Sequence, residues 1–182
     1  RHNYRRRLLK AEKKFNGIVI NKAECSEFSN EHYQLYLDIM NRTKTKLEIL
    51  KKDFFLNLSA DYILHSFYSG NELITWHITV SSNNVYYFLF GGINYSLRDR
   101  FDSYFNNLIY ILKEAGELKS VSINLGQTAE VSKNRIGAKS IEKKMFIYHH
   151  NQIIRLLFNL SKSLLSYKLK SNMVKIFKTD IA

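Results

Sequence analysis

An α/β domain built on one mixed central sheet, with helices on both faces, is predicted by three features of the chain. Residues 85 to 138 read as a strand, a helix and a second strand, a unit whose two strands must run parallel. Three closely spaced strands precede that unit, and two amphipathic helices precede those. The length of 182 residues suits a single domain, and 45% hydrophobic content supports a core.

The elements follow in order. Residues 1 to 15 predict a basic helix with Tyr4, Leu8, Ala11 and Phe15 on one stripe, and a chain opening on Arg1 rather than methionine points to a fragment or a processed product. Residues 17 to 20 read as a short strand. Ser29 opens a helix whose apolar face is Tyr33, Tyr36, Leu37 and Met40. After a polar break over residues 41 to 46, a second helix carries Leu47, Leu50, Phe54 and Leu58 on one side.

Strands over residues 62 to 68, 72 to 80 and 85 to 90 are joined by Ser69-Gly70-Asn71 and Ser81-Ser82-Asn83-Asn84, which predicts an antiparallel meander. In the middle strand Ile74, Trp76, Ile78 and Val80 share one face. Thr75, His77 and Thr79 share the other, where His77 is either a satisfied core group or a catalytic base.

Gly91-Gly92 is expected to stop the third strand, and Ser96 with Asp99 three residues on predicts the cap of the next helix. Phe101, Phe105, Leu108 and Leu112 then recur at helical spacing up to Gly116, and Val121, Ile123 and Leu125 alternate as in a strand. A glycine turn leading into a helix amino terminus exposes amides to an extended anion; the competing reading is a tight turn and nothing more. Beyond it, Lys133 and Arg135 stand two residues apart near Gly126 and Gly137, a pattern suited to phosphate or carboxylate. Residues 145 to 148 predict a last strand, and residues 152 to 169 a closing amphipathic helix that caps the core, meets another domain or lies on a membrane surface.

Composition narrows the function classes. Cys25 is the only cysteine, which excludes an internal disulfide framework and a cysteine metal cluster; no metal is expected. No apolar run is long enough for a transmembrane segment and no signal peptide pattern is present, so the cytoplasm is the expected compartment. Of the net charge of +12, +10 sits at the ends, +6 over residues 1 to 14 and +4 over residues 161 to 182, and only +2 lies between. The body is therefore not a general polyanion binder, whereas the termini are candidates for contacts with RNA phosphates.

The order strand, two helices, three antiparallel strands, helix, strand, short helix, strand resembles the GNAT superfamily of acyltransferases over residues 17 to 151. Tyr87-Phe88-Leu89-Phe90-Gly91-Gly92, Leu125-Gly126-Gln127-Thr128 and Lys133-Asn134-Arg135-Ile136-Gly137-Ala138 are similar to its divergent branch containing the Fem-type peptidoglycan-bridge aminoacyltransferases. The resemblance implies residues 1–16 as an arm or interdomain link, 17–151 as the acyltransferase domain and 152–182 as a helix and basic tail, with the chain the second half of a tandem protein. It further implies an acyl-CoA donor, acetyl-CoA foremost, and a small-molecule or peptidyl amine acceptor. Phe88, Phe90, Gly91, Gly92, Ser96, Arg98, Lys133 and Arg135 would bind the donor; His77, Tyr87 and Asn124 would serve as base, orienting hydroxyl and oxyanion or acceptor contact. The family's phosphate loop, a Gln or Arg followed by spaced glycines, has no counterpart in Gly91 to Ser96. The alternatives are therefore an aminoacyl-tRNA donor held by the basic termini, or a non-catalytic copy that binds or scaffolds.

Overall fold

The computed structural model describes residues 2–43, 48–127, 130–141, 146 and 148–161. Strands β1 (Val19–Glu24), β2 (Tyr62–Ser69), β3 (Glu72–Ser82), β4 (Val85–Ile93) and β5 (Ser122–Asn124) form one sheet in sequence order. β2, β3 and β4 form the predicted antiparallel meander and β5 pairs parallel with β4 as predicted, while β1, whose partner the sequence leaves open, adds antiparallel to β2. The β3–β4 hairpin turns on Asn83 and Asn84, both at positive φ (51° and 61°), the backbone pair that a two-residue turn between twisted strands demands.

One face of the sheet is aromatic and dry. Trp76 and Ile78 of β3 pack there with Phe28, Leu35, Tyr36 and Phe55. This layer comes from helices α2 (Asn30–Arg42) and α3 (Lys52–Leu56) and a 3₁₀ turn over Cys25–Glu27. α2 starts where predicted because Ser29 and His32 cap each other: the His32 N–H donates to Ser29 Oγ and the Ser29 N–H to His32 Nδ1. α3 is shorter than expected. Leu50 and Leu58 lie outside it yet still pack on the Trp76 core, Phe55 rather than Phe54 points inward, and Leu47 lies outside the described residues.

The other face is covered by α5 (Ser103–Glu117), with Tyr86, Phe105, Leu108, Ile111 and Ala115 in its core. The single helix expected here is interrupted. α4 (Arg98–Phe101) ends at Asp102, whose φ of 51° breaks the helical path, and Asn106 Nδ2 compensates by donating to the carbonyl of Phe101 at 2.8 Å. Ser96 does not cap α4; its Oγ donates to Asn94 Oδ1 at 2.6 Å, a local turn of the loop. The chain leaves α5 at Lys119 (φ 52°) rather than at Gly116.

The amino-terminal helix α1 (His2–Lys14) lies against this same layer. Ala11 is fully buried among the α5 residues, Arg7 pairs with Asp102, Lys113 Nζ meets Glu12 Oε1 at 2.6 Å and Asn106 donates to the Ala11 carbonyl. Part of its positive charge is thus committed within the fold. α6 (Glu130–Asn134) follows β5, and α7 (Gln152–Leu160) has no buried residue, so the described part of the closing helix does not cap the core. Phe146 and Tyr148 are exposed and outside any strand, against the expected last strand; Met145 and Ile147, like Thr128, Ala129 and the tail beyond residue 161, lie outside the described residues. No helix among the described residues is long and apolar enough to cross a membrane.

Candidate active site

The two edges of β4 are unequal. β3 pairs with it from Val85 to Ile93, whereas β5 pairs only through Val85, Tyr86 and Tyr87, opposite Ser122, Ile123 and Asn124. β5 is three residues long, and Leu125 and Gly126 (φ +69°) then turn the chain away, with Gly126 lying against the Phe88 carbonyl. From Phe88 onward that edge of β4 borders a cleft of about 590 Å³. Backbone polar groups there have no strand partner among the described residues and remain available to an extended ligand.

A bulge lies within this wall. Thr79 pairs with Phe88 and Ile78 with Phe90, so Leu89 has no opposite residue. The extra residue reverses the facing of everything beyond it: Tyr86 and Phe88 pack toward α5, while Phe90 packs toward the Trp76 side.

Gly91 and Gly92 do not stop the strand. Both belong to β4, at ordinary strand conformation, and their need is steric: a Cβ on Gly92 would sit 2.0 Å from Trp76 Nε1, and one on Gly91 would sit 3.1 Å from the Trp76 carbonyl oxygen. Trp76 itself is held by donating to the His32 carbonyl at 2.9 Å. Neither the anion-cradling turn nor the plain tight turn is the reason for this pair; close packing of an indole is.

The far wall of the cleft comes from Leu125, Gly126, Gln127, Ser132, Lys133 and Arg135, and α5 contributes Tyr104, Phe105 and Asn107. Burial pushes Tyr104 up to about 12, so it presents a hydrogen-bond donor at neutral pH. The lining also holds Arg7, Arg98, Lys133 and Arg135, with Asp99 and Asp102, and Tyr36, Ile39 and Met40 of α2. Arg98 and Arg42, the last residue of α2, both lie over the Tyr95 ring, so the α2 wall adjoins Arg98. Arg98 pairs with Asp99 at 2.9 Å, Arg7 with Asp102, and Lys133 Nζ donates to the Gln127 carbonyl at 2.7 Å, tying α6 to the β5 exit loop.

Seven of the eight residues implied for donor binding therefore line one cleft: Phe88, Phe90, Gly91, Gly92, Arg98, Lys133 and Arg135. Ser96 stands outside the lining. The three catalytic candidates are not gathered in the cleft. Tyr87 and Asn124 are register partners at the last pair before the strands separate, with the Asn124 side chain accepting from the Gly126 N–H at 2.9 Å. His77 is fully buried beneath α5, stacked on His65 at 4.4 Å, and its burial, with smaller effects of nearby His65 and Lys22, drives it well below its usual range. The neighbouring Asn107 pulls the other way through its carbonyl oxygen, an acceptor for a His77 N–H, while its nitrogen donates to Thr75 Oγ1 at 3.1 Å.

Several lining residues had no readable signal. Leu89 matters through a bulge that residue identities do not announce. Arg7 stands in a helix that reads as an arm or interdomain link, and Tyr36 and Met40 read as the apolar face of their helix.

This split sheet, helical on both faces, is the fold of the GNAT acyltransferases. Solved structures similar to the chain include a predicted acetyltransferase from Clostridium acetobutylicum with acetyl-CoA (12% identity, TM-score 0.57, covering 74% of this chain and 99% of that one). A ribosomal-protein-alanine N-acetyltransferase from Brucella melitensis biovar Abortus matches with 12% identity, TM-score 0.53 and coverage of 74% and 100%. An aminoglycoside acetyltransferase from an uncultured soil metagenomic sample, in complex with sisomicin, matches with 7% identity, TM-score 0.52 and coverage of 75% and 97%. No protein-family model and no curated protein sequence matches the chain.

Proposed function

We propose that this chain is an N-acyltransferase that moves an acyl group, acetyl in the simplest case, from coenzyme A to an amine. The observation that carries this reading is the split after Tyr87 and Asn124, which leaves one bulged edge of β4 facing a cleft lined in part by cations. A pantetheine arm is an extended chain of amides, suited to pairing with an open strand edge. The diphosphate lies toward Arg98 and Arg135 in this reading, and the thioester lies beside the bulge at Leu89.

The acceptor nitrogen attacks the thioester carbonyl, the C–S bond breaks and the thiolate leaves, while the nitrogen loses a proton to water. In this reading backbone N–H groups at the bulge stabilise the developing oxyanion, and catalysis is mainly positioning. Tyr87 and Asn124 stand at the vertex of the split, outside the cleft lining, where Asn124 holds the turn at Gly126 that opens the sheet. His77 has no opening toward the cleft and is assigned no proton transfer.

The composition of the cleft bears on the acceptor. Tyr36, Ile39 and Met40 give the lining an apolar part, and the carboxylates among the lining residues, Asp99 and Asp102, are both engaged by arginines. A polycationic acceptor would need free carboxylates; an amine carried on an apolar or aromatic body does not.

The test is release of free coenzyme A thiol with acetyl-CoA and a panel of arylalkylamines, polyamines and peptides. Ser132→Trp, which fills the cleft from its α6 wall, should abolish donor binding with the fold intact by circular dichroism. Donor affinity unchanged in that variant would overturn the assignment of this cleft.

A further inference from the structure

The face of the sheet beneath α5 holds a row of polar side chains that the acyl-transfer reading does not use. Register pairs Lys22 with His65 and His65 with His77, so the three lie side by side across β1, β2 and β3. Glu114 reaches down onto this row from α5. His65, His77 and Glu114 are all buried, and one ligand-capable atom from each lies within 4.8 Å of the others.

The arrangement is unfinished as a hydrogen-bonded core. His65 Nδ1 and both ring nitrogens of His77 are buried without hydrogen-bond partners. The Asn107 Oδ1 beside His77 is also without a partner and can accept from one of its nitrogens, which still leaves one nitrogen on each ring open; a buried neutral imidazole normally satisfies both its donor and its acceptor. The carboxylate is already shaped for more than one contact. Its Oε1 meets Lys22 Nζ at 2.5 Å, its Oε2 takes the Tyr86 hydroxyl in a short hydrogen bond, and Oε2 also stands 3.4 Å from His65 Nε2.

We propose that His65, His77 and Glu114 form a binding site for a divalent transition cation of the zinc class, tying β2 and β3 to α5. Two imidazoles and a carboxylate are a ligand set that zinc favours, with a fourth position left for water. Ligand atoms around tetrahedral zinc stand roughly 3.3 Å apart, so the cluster contracts by up to about 1.5 Å on binding, and the His65 and His77 rings, now stacked at 4.4 Å, turn so that their lone pairs converge. Tyr86, whose hydroxyl donates to Glu114 Oε2, supplies a surrounding hydrogen bond that orients the carboxylate, and Thr79 Oγ1, 2.9 Å from His65 Nε2, must give up that contact if Nε2 ligates the cation. Lys22, whose side chain is half exposed, is the outer lip of the site and competes with the cation for Glu114. Sequence alone predicted no metal, because residues 65, 77 and 114 have no motif spacing; only strand register and the α5 crossover bring them together.

The test is titration of the chelator-treated full chain with Co²⁺, followed by Zn²⁺. About one Co²⁺ per chain should bind with visible d–d absorption of a low-coordinate site, and Zn²⁺ should displace it and raise the unfolding midpoint. His77→Gln and His65→Gln should each abolish the band. Lys22→Met should strengthen Zn²⁺ binding about tenfold, since the competing ammonium is removed. His149→Ala with His150→Ala, which removes the adjacent surface histidine pair, should change nothing. No cobalt band in the unaltered chain overturns the proposal, as does a band lost with His149 and His150. If the His65 and His77 variants fail to fold, weaker or equal Zn²⁺ binding in the Lys22 variant also overturns it.

Discussion

The two faces of β3 divide the work of the domain. Trp76 and Ile78 look into a layer of stacked and edge-on rings in which Phe28 lies 4.7 Å from Phe55 and 4.9 Å from Trp76. Thr75, His77 and Thr79, one residue along, look into a polar layer of Asn107, His65, Tyr86 and Glu114. The same strand thus supplies an apolar anchor on one side and a chemically loaded surface on the other. Stability should be concentrated on the first face, and ligand responses on the second.

That contrast breaks most visibly at Trp76. Trp76→Ala should cost about 3–5 kcal/mol, through lost burial and a cavity, read by denaturant unfolding. Gly92→Ala probes the same contact from the opposite side: its methyl would overlap the indole, and overpacking of this kind costs about 1–3 kcal/mol or more. If Gly92→Ala were instead neutral and merely weakened ligand binding, the glycine would be a ligand-site residue and the division of faces would fail there.

A pH series sharpens the comparison next. His32, on the apolar side, accepts the Ser29 N–H at Nδ1 and therefore carries its proton on Nε2, which donates to Ser66 Oγ at 2.8 Å. Burial lowers it to about 4, against an ordinary value near 6.5. Between those values the unfolded chain binds more protons than the folded one, so stability rises with pH across this window and falls as pH drops from about 6.5 toward 4. The loss attributable to His32 is about 3 kcal/mol at most, and His32→Gln should make the acid limb shallower. Identical acid limbs in the two proteins would show that the Ser29–His32 cap is not the group that titrates.

On the polar face, Tyr86→Phe removes a buried hydroxyl shared by Thr79 and Glu114 and should cost about 1–2 kcal/mol, less than the Trp76 change. The smallest effect is expected at the surface. Arg7 is bonded to Asp102 and lies 4.7 Å over the Phe105 ring, yet its side chain is 42% exposed, so Arg7→Ala should cost less than about 1 kcal/mol. It should still lower donor affinity, because Arg7 borders the cleft.

The fold was legible where local pattern and tertiary demand agree. Alternation in Glu72 to Val80, turn residues at Gly70 and Asn83-Asn84, and the Ser29 cap each state their conformation without reference to distant residues. Gly91-Gly92 was misread because a glycine pair signals a turn locally, while its actual cause, the Trp76 indole across the hairpin, is known only once β3 and β4 are in register. The same holds for Asp102: nothing in Arg98 to Leu112 announces a break, and the side chains that accommodate it are Arg7, far away in sequence, and Asn106. Most of the donor-cleft residues were found because they flank the two strand ends. The cleft residues from α1, α2 and α5 were not, since residue type alone does not separate a side chain facing a cleft from one facing a core.

The central claim is that the open edge of β4 is a coenzyme A site, and calorimetric titration of the chain with acetyl-CoA tests it most directly. Binding of about one equivalent that weakens in Arg98→Glu and Arg135→Glu, with unfolding midpoints unchanged in the absence of ligand, is the expected result. Acetyl-CoA that neither releases heat nor shifts the unfolding midpoint, under conditions where the chain is folded, would contradict it.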